Sequence, residues 1–162
     1  MSAAGDFAGW IGDLEAAVDE VARSALGAEP LVTSGTGVAP PSTWHGAYVG
    51  LVGAAGAVQI GVAADLGGCQ KLSKRLLGMD EGEPDLPTAE VADAVCEIVN
   101  IVAGVFKGRL RERVGQLQLG LPVFFEGPAL PTEHTAVVAT AVRVCDVPAA
   151  AVLVHPRAAG AR

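Results

Sequence analysis

The sequence predicts an α+β domain, with a largely antiparallel sheet and a long helix plus two further helices packed against it. Three observations carry that expectation. Helical periodicity recurs in three separate segments. The extended segments come in hairpin-sized groups rather than one per helix, which disfavours a parallel sheet wound through crossovers. The order along the chain is helix, strands, two helices, strands.

From about Phe7 to Leu26, the residues Trp10, Leu14, Ala17, Val18, Val21 and Ala25 recur at three- and four-residue steps. Gly27 is the expected C-cap, and Pro30 bars continuation. Residues 33–43, TSGTGVAPPST, read as a turn-rich stretch. From Gly46 to Ala64 there is no charge, close to the length of a membrane span of about 20 residues. Five glycines and Gln59 interrupt that run. Two strands, Trp44 to Val52 and Ala57 to Ala64, around a tight turn at Gly53-Ala54-Ala55-Gly56 account for it better. No membrane insertion is expected.

Asp65 opens a new pattern. Cys69 to Leu77 carries Leu72, Leu76 and Leu77 at helical spacing, with Gly78 as the stop. Met79 to Pro87 is an acidic connector. Thr88 is the expected N-cap of the next helix, and Glu90 and Asp93 suit its positive end. Val91, Val95, Ile98, Val99, Val102, Phe106 and Leu110 carry the period to about Arg113, making this the longest helix. Leu117, Leu119, Leu121 and Val123-Phe124-Phe125 suggest an extended passage broken by Pro122, followed by a loop at Gly127-Pro128 and Pro131. Thr135 to Val144 and Pro148 to Val154 read as strands joined at Asp146-Val147-Pro148. The expectation is one domain over residues 1–157, with 158–162 as a flexible tail.

Composition removes several function classes. A net charge of −7 lacks the concentrated basic surface that phosphate backbones require, so no nucleic-acid partner is expected. Cys69, Cys96 and Cys145 are odd in number and far apart, unlike a secreted disulfide framework. Asp6 stands where a secretory leader would carry Lys or Arg, and the chain reads as cytoplasmic. His45, His134 and His155 have no ligand-like spacing, so no metal site is expected. There is no P-loop, no dinucleotide fingerprint and no nucleophile elbow.

The long helix is the exception. Steps of four, three and four place Asp93, Glu97, Asn100 and Gly104 on one face, away from the apolar stripe. Asn is a mediocre helix former because its amide competes for the backbone. Gly in a helix interior costs about 1 kcal/mol against Ala. Two unfavourable choices one turn apart mark either an ordinary solvated stripe or a face that another surface approaches.

These residues resemble the signature of the CheC/CheX/FliY chemotaxis phosphatases. The likeness lies in Asp93-x3-Glu97-x2-Asn100, the Ala103-Gly104 pair and Pro122 downstream. It is closest to the CheX branch, which has one copy of the motif. The order of elements agrees as well: an N-terminal helix ending LGAEP, a Gly-rich hairpin, a short helix ending LLGM, then the motif helix with NIVAG.

The resemblance implies a phosphatase for the aspartyl phosphate of a CheY-type response regulator in two-component signalling. Carried onto this chain, Asn100 would orient the attacking water and Glu97 would pair with the regulator's active-site lysine. Asp93 and Gly104 would belong to the partner-binding face, and Pro122 would shape a loop near it. The chain would need no cofactor of its own, Mg2+ being held by the regulator. The resemblance also implies a homodimer with sheets joined between subunits. The alternatives are a non-catalytic module that binds a regulator as scaffold or sink, and a purely structural dimerisation domain.

Overall fold

The computed structural model describes residues 7–27, 32–34 and 43–157. Pro30, most of the turn-rich stretch (35–42) and the expected tail (158–162) lie outside them.

A short 3-10 turn at Phe7–Gly9 leads into α1, Trp10–Ser24. Trp10, Leu14, Ala17, Val18 and Val21 are buried, as their spacing requires. The C-cap is Ala25 and not Gly27, because the helix already ends at Ser24; Gly27 follows two residues later at φ +61° and turns the chain. The first strand, β1 at Val32–Ser34, overlaps the start of what reads in sequence as turn. It exists only through pairing with a strand more than a hundred residues away, Val32 opposite Val144.

The charge-free run is a hairpin, β2 (His45–Gly53) and β3 (Gly56–Ala64), closed by Ala54-Ala55 with Gly53 opposite Gly56. Alternation divides it cleanly. Ala47, Val49 and Leu51 face the main core with Val58, Ile60 and Val62, while Tyr48 faces the other side. The ring of Tyr48 lies over Gly61, where a Cβ would collide with it. Among the described residues, no helix is long and apolar enough to cross a membrane.

The second helix, α2 (Leu66–Leu76), starts three residues earlier than its leucine spacing suggests. The Asp65 side chain caps it, accepting a hydrogen bond from Gly68 N–H at 2.7 Å. A side chain at Gly68 would stand 2.7 Å from Val147 Cγ1, so this poor helix former is the residue that fits. Gly78, at φ +68°, stops the helix as expected.

The long helix is α3, Thr88–Val114. Thr88 is its first helical residue and not the N-cap. Pro87 holds that position at ψ 148°, and its carbonyl accepts from Val91 N–H at 3.0 Å. Proline suits the boundary because its fixed φ and missing N–H cost nothing there. The connector before it is tied down by α2. Gln70 makes two hydrogen bonds to the Leu86 main chain, 2.8 and 3.0 Å. The Lys74 side chain is only 6% exposed, and its ammonium donates to the carbonyls of Glu83 and Glu81 and to the Asp85 carboxylate. Gly115, at φ +77°, then reverses the chain.

The return strand is split into β4 (Gln118–Leu119) and β5 (Val123–Glu126), both antiparallel to β2. Between them Gly120-Leu121-Pro122 stands opposite Val49 and Gly50, an extra residue that bulges the edge. The last hairpin is β6 (Thr135–Val144) and β7 (Val147–Pro156). Its turn is Cys145-Asp146, with Cys145 at φ +59°, and not Asp146-Val147-Pro148. Pro148 sits in the strand because β3 ends level with Ala149, so its nitrogen meets no neighbour there.

The sheet runs β1-β6-β7-β3-β2 and ends on β4 and β5. It is antiparallel throughout, with α1, α2 and α3 packed against it. The other face carries a smaller apolar group, Tyr48, Ala150 and Val152, with Trp44 and Ala129.

Because Lys74 satisfies three oxygens from a largely buried site, Lys74→Met is expected to destabilise the fold by about 1.5–3 kcal/mol. Urea unfolding followed by circular dichroism checks this, and hydrogen exchange is expected to rise between Met79 and Val91.

Candidate functional site

Two packed ends aim the motif helix. At its start the clamped connector sets the entry of α3. Toward its end, Phe106 is fully buried and meets Trp10 edge-on at 6.3 Å. Arg109 pairs with Glu20 at 3.0 Å, and Arg113 pairs with Asp13, both on α1. Between these anchors Val91, Val95, Ile98, Val99, Val102 and Phe106 press into the core. With that stripe buried, Asp93, Glu97, Asn100 and Gly104 must point outward.

They do. Asp93, Glu97 and Gly104 are exposed and Asn100 is partly exposed. The rise from Glu97 to Asn100 is about 4.5 Å, so both side chains can enter one pocket of a partner. Among the described residues, neither Glu97 nor Asn100 has a hydrogen-bond or ion-pair partner. A carboxylate and a carboxamide presented without internal partners have their full bonding capacity available. The thiol of Cys96 lies in the same turn, where burial, and then the Asp93 carboxylate, push its pKa up. It therefore stays protonated at neutral pH, which disfavours a thiolate nucleophile.

Pro122 sits on a different element, in the bulge between β4 and β5. The chain turns at Gly115 and runs back beside α3, and β5 packs against that helix. Fourteen residues of helix from Asn100 to Val114 rise about 21 Å, and the extended run from Gly115 to Pro122 returns about 23 Å, which brings Pro122 roughly level with Asn100. The bulge also turns Leu121 outward, 87% exposed.

One part of this face escapes a reading of the sequence. Beyond Asn100, Gly104, Lys107, Gly108 and Arg111 form one wall of an open groove of about 600 Å3, and residues 115–119 form the other. The available signal is Lys107 and Arg111 four residues apart on a helix of an acidic chain.

Residues 45–143 match the family described as chemotaxis phosphatase CheX, more than half of the chain. The chain belongs to the CheX family. Solved CheX structures share its fold. CheX from Vibrio vulnificus aligns with a TM-score of 0.70 at 21% identity, covering 93% of this chain and 96% of that one. CheX from Borrelia burgdorferi, solved as a CheX-CheY-BeF3-Mg complex, aligns with a TM-score of 0.68 at 20% identity, covering 92% and 98%. The middle domain of FliM from H. pylori also shares the fold, with a TM-score of 0.59 at 11% identity, covering 91% and 88%. No curated protein sequence matches the chain.

The Asn100 side chain makes no hydrogen bond among the described residues, so Asn100→Ala is expected to change unfolding free energy by less than about 0.5 kcal/mol. A Cβ at Gly104 meets nothing within 4 Å, so Gly104→Ala is expected to stabilise the protein by up to about 1 kcal/mol. Chemical denaturation of both variants checks the pair.

Proposed function

We propose that this CheX-family chain accelerates hydrolysis of the aspartyl phosphate on a CheY-type response regulator. The observation that carries the reading is the pair Glu97 and Asn100, one turn apart, outward-facing and without partners among the described residues. The family match supports it, as does the solved complex of the Borrelia burgdorferi relative with CheY.

The chemistry asks little of the phosphatase. An aspartyl phosphate is an activated acyl phosphate, and the regulator supplies Mg2+ and a lysine. What hydrolysis lacks is a placed water, and phosphoryl transfer depends mainly on positioning and charge stabilisation. The carbonyl oxygen of Asn100 accepts a hydrogen bond from that water and holds the water's oxygen in line with phosphorus. As the new P–O bond forms, the bond to the aspartyl oxygen breaks. The regulator's carboxylate is restored and orthophosphate leaves with the water's protons. A neutral carboxamide adds no negative charge beside the phosphoryl oxygens, whereas Asp at this position would repel them.

Glu97 reaches the regulator's active-site lysine from the same helix. A Lys–carboxylate pair excluded from water is stronger than a surface pair. Asp93 and Gly104 extend the docking face on either side, and Pro122 shapes the neighbouring bulge. The protein holds no cofactor of its own in this scheme.

The family resemblance further suggests a homodimer joined through sheet edges. Among the described residues, β1 covers β6 only at Val142–Val144, so Thr135 to Ala141 offers a charge-free edge for a second copy.

Two measurements test these readings. With a phosphorylated cognate regulator in excess Mg2+, wild-type protein is expected to speed phosphate release at least tenfold. Asn100→Ala is expected to abolish the acceleration, and Glu97→Ala to weaken binding. Full activity in the Glu97→Ala, Asn100→Ala double variant would remove both residues from the site. Binding without faster release would leave a regulator-binding module. Light scattering is expected to give about twice the 16.3 kDa chain mass, and a monomer would exclude the sheet-joined dimer.

A further inference from the structure

The groove beyond Asn100 has a charge that the rest of the surface does not. The chain carries net charge −7. Its other described lysines and arginines are held by a carboxylate or a main-chain carbonyl. On α3 itself, Arg109 and Arg113 turn toward α1 and pair with Glu20 and Asp13. Lys71 and Arg75 on α2 pair with Asp146 and Glu81, and Arg143 and Arg157 donate to main-chain oxygens. Lys107 and Arg111 lie on the opposite side of α3 from Arg109 and Arg113, in the groove. Among the described residues no partner neutralises them.

The groove's shape suits a macromolecular surface. Gly104 and Gly108 leave its helical wall bare beside the two cations. Neither glycine is demanded by packing, because a Cβ at either would meet nothing within 4 Å. The facing wall offers the amides of Gln116 and Gln118. The groove is continuous with the motif face through Gly104. Lys107 lies about 10 Å along the helix from Asn100 and Arg111 about 16 Å, too far to touch the reacting phosphate but within one docked interface.

We propose that Lys107 and Arg111 anchor a carboxylate-bearing segment of the response-regulator partner, laid in this groove beside its phosphorylated pocket. The inference rests on the phosphatase reading above and adds where the partner is held. The chain is acidic overall and repels carboxylates, and two free cations beside the motif reverse that repulsion locally. Arg111 offers a carboxylate two parallel N–H donors, and Lys107 a compact charge. Such contacts raise the association rate and make it salt-dependent. Lys107 and Arg111 are therefore positioning residues. They bring Asn100 to the phosphate and leave the bond-breaking step alone.

The test measures affinity and catalysis separately, in full-length protein with a phosphorylated cognate regulator found from a panel. Lys107→Glu, Arg111→Glu is expected to raise Kd and KM at least tenfold at low salt, with kcat within about twofold of wild type. Wild-type Kd is expected to rise steeply between 50 and 300 mM NaCl, and that of the double variant to stay nearly flat. Lys107→Arg, Arg111→Lys is expected to retain most affinity. Lys107→Gln, Arg111→Gln provides a neutral control should charge reversal disturb folding, and is expected to weaken binding by a smaller factor.

Unchanged Kd and salt dependence in the reversal variant would overturn the groove assignment. If Asn100→Ala still abolished turnover, the phosphatase reading would survive that result. A change in oligomeric mass on charge reversal, with regulator affinity intact, would assign the groove to a second copy of this chain and overturn the proposal. Failure of wild-type protein to bind any regulator of the panel at low salt would overturn both readings.

Discussion

The burial of one stripe of α3 against the sheet governs everything functional in this molecule. Val91, Val95, Ile98, Val99, Val102, Phe106 and Leu110 all lie in the core, and a helix that buries that stripe has no freedom about its own axis. Rotating α3 by one residue would bury Asn100 or Glu97 and expose leucine or phenylalanine. The cost of burying an unpaired carboxylate alone forbids it. Neither carboxamide nor carboxylate needs a local bond to hold its direction, because the backbone beneath them is held. Polar side chains on a rigid element are better placed for positioning chemistry than the same groups on a loop.

The anchors of that helix were unequally legible in the sequence. Period 3.6 along Val91–Leu110 declares the buried stripe, and the exposed face follows from it. The hairpin of β2 and β3 was equally plain, since a charge-free run divided by glycines has few other folded solutions. Lys74 was not: it stands among leucines at helical spacing like any solvated lysine, and only the fold of the Met79–Pro87 connector surrounds it with oxygens. The start of α2 is hidden by Gly67-Gly68, two poor helix formers, of which the approach of Val147 demands only Gly68. β1 is three residues long and owes its existence to a long-range partner, so no local pattern announces it. The turn at Cys145 has no local signal because cysteine rarely takes positive φ, while Val147-Pro148, which looks like part of a turn, is strand.

The site divides the same way. Glu97 and Asn100 are neighbours by helical spacing, and sequence suffices to pair them. The groove that continues their face is made when residues 115–119 fold back beside α3, a tertiary event that linear spacing does not encode. The fold in turn does not determine the activity. Unrelated functions can share one fold, so function has to be argued from the outward face of one helix. On the proposed reading, what distinguishes a phosphatase there is a single amide able to hold water against phosphorus.

The most direct test of that claim follows the Asn100 side-chain amide itself. In protein labelled with 15N at asparagine, its NH2 resonances would be recorded during titration with a cognate regulator carrying BeF3 and Mg2+. The account predicts that these two resonances shift or broaden with the regulator in its activated form and stay in place with the unactivated form at the same concentration. An Asn100 amide unmoved while the regulator binds elsewhere on the surface would contradict it.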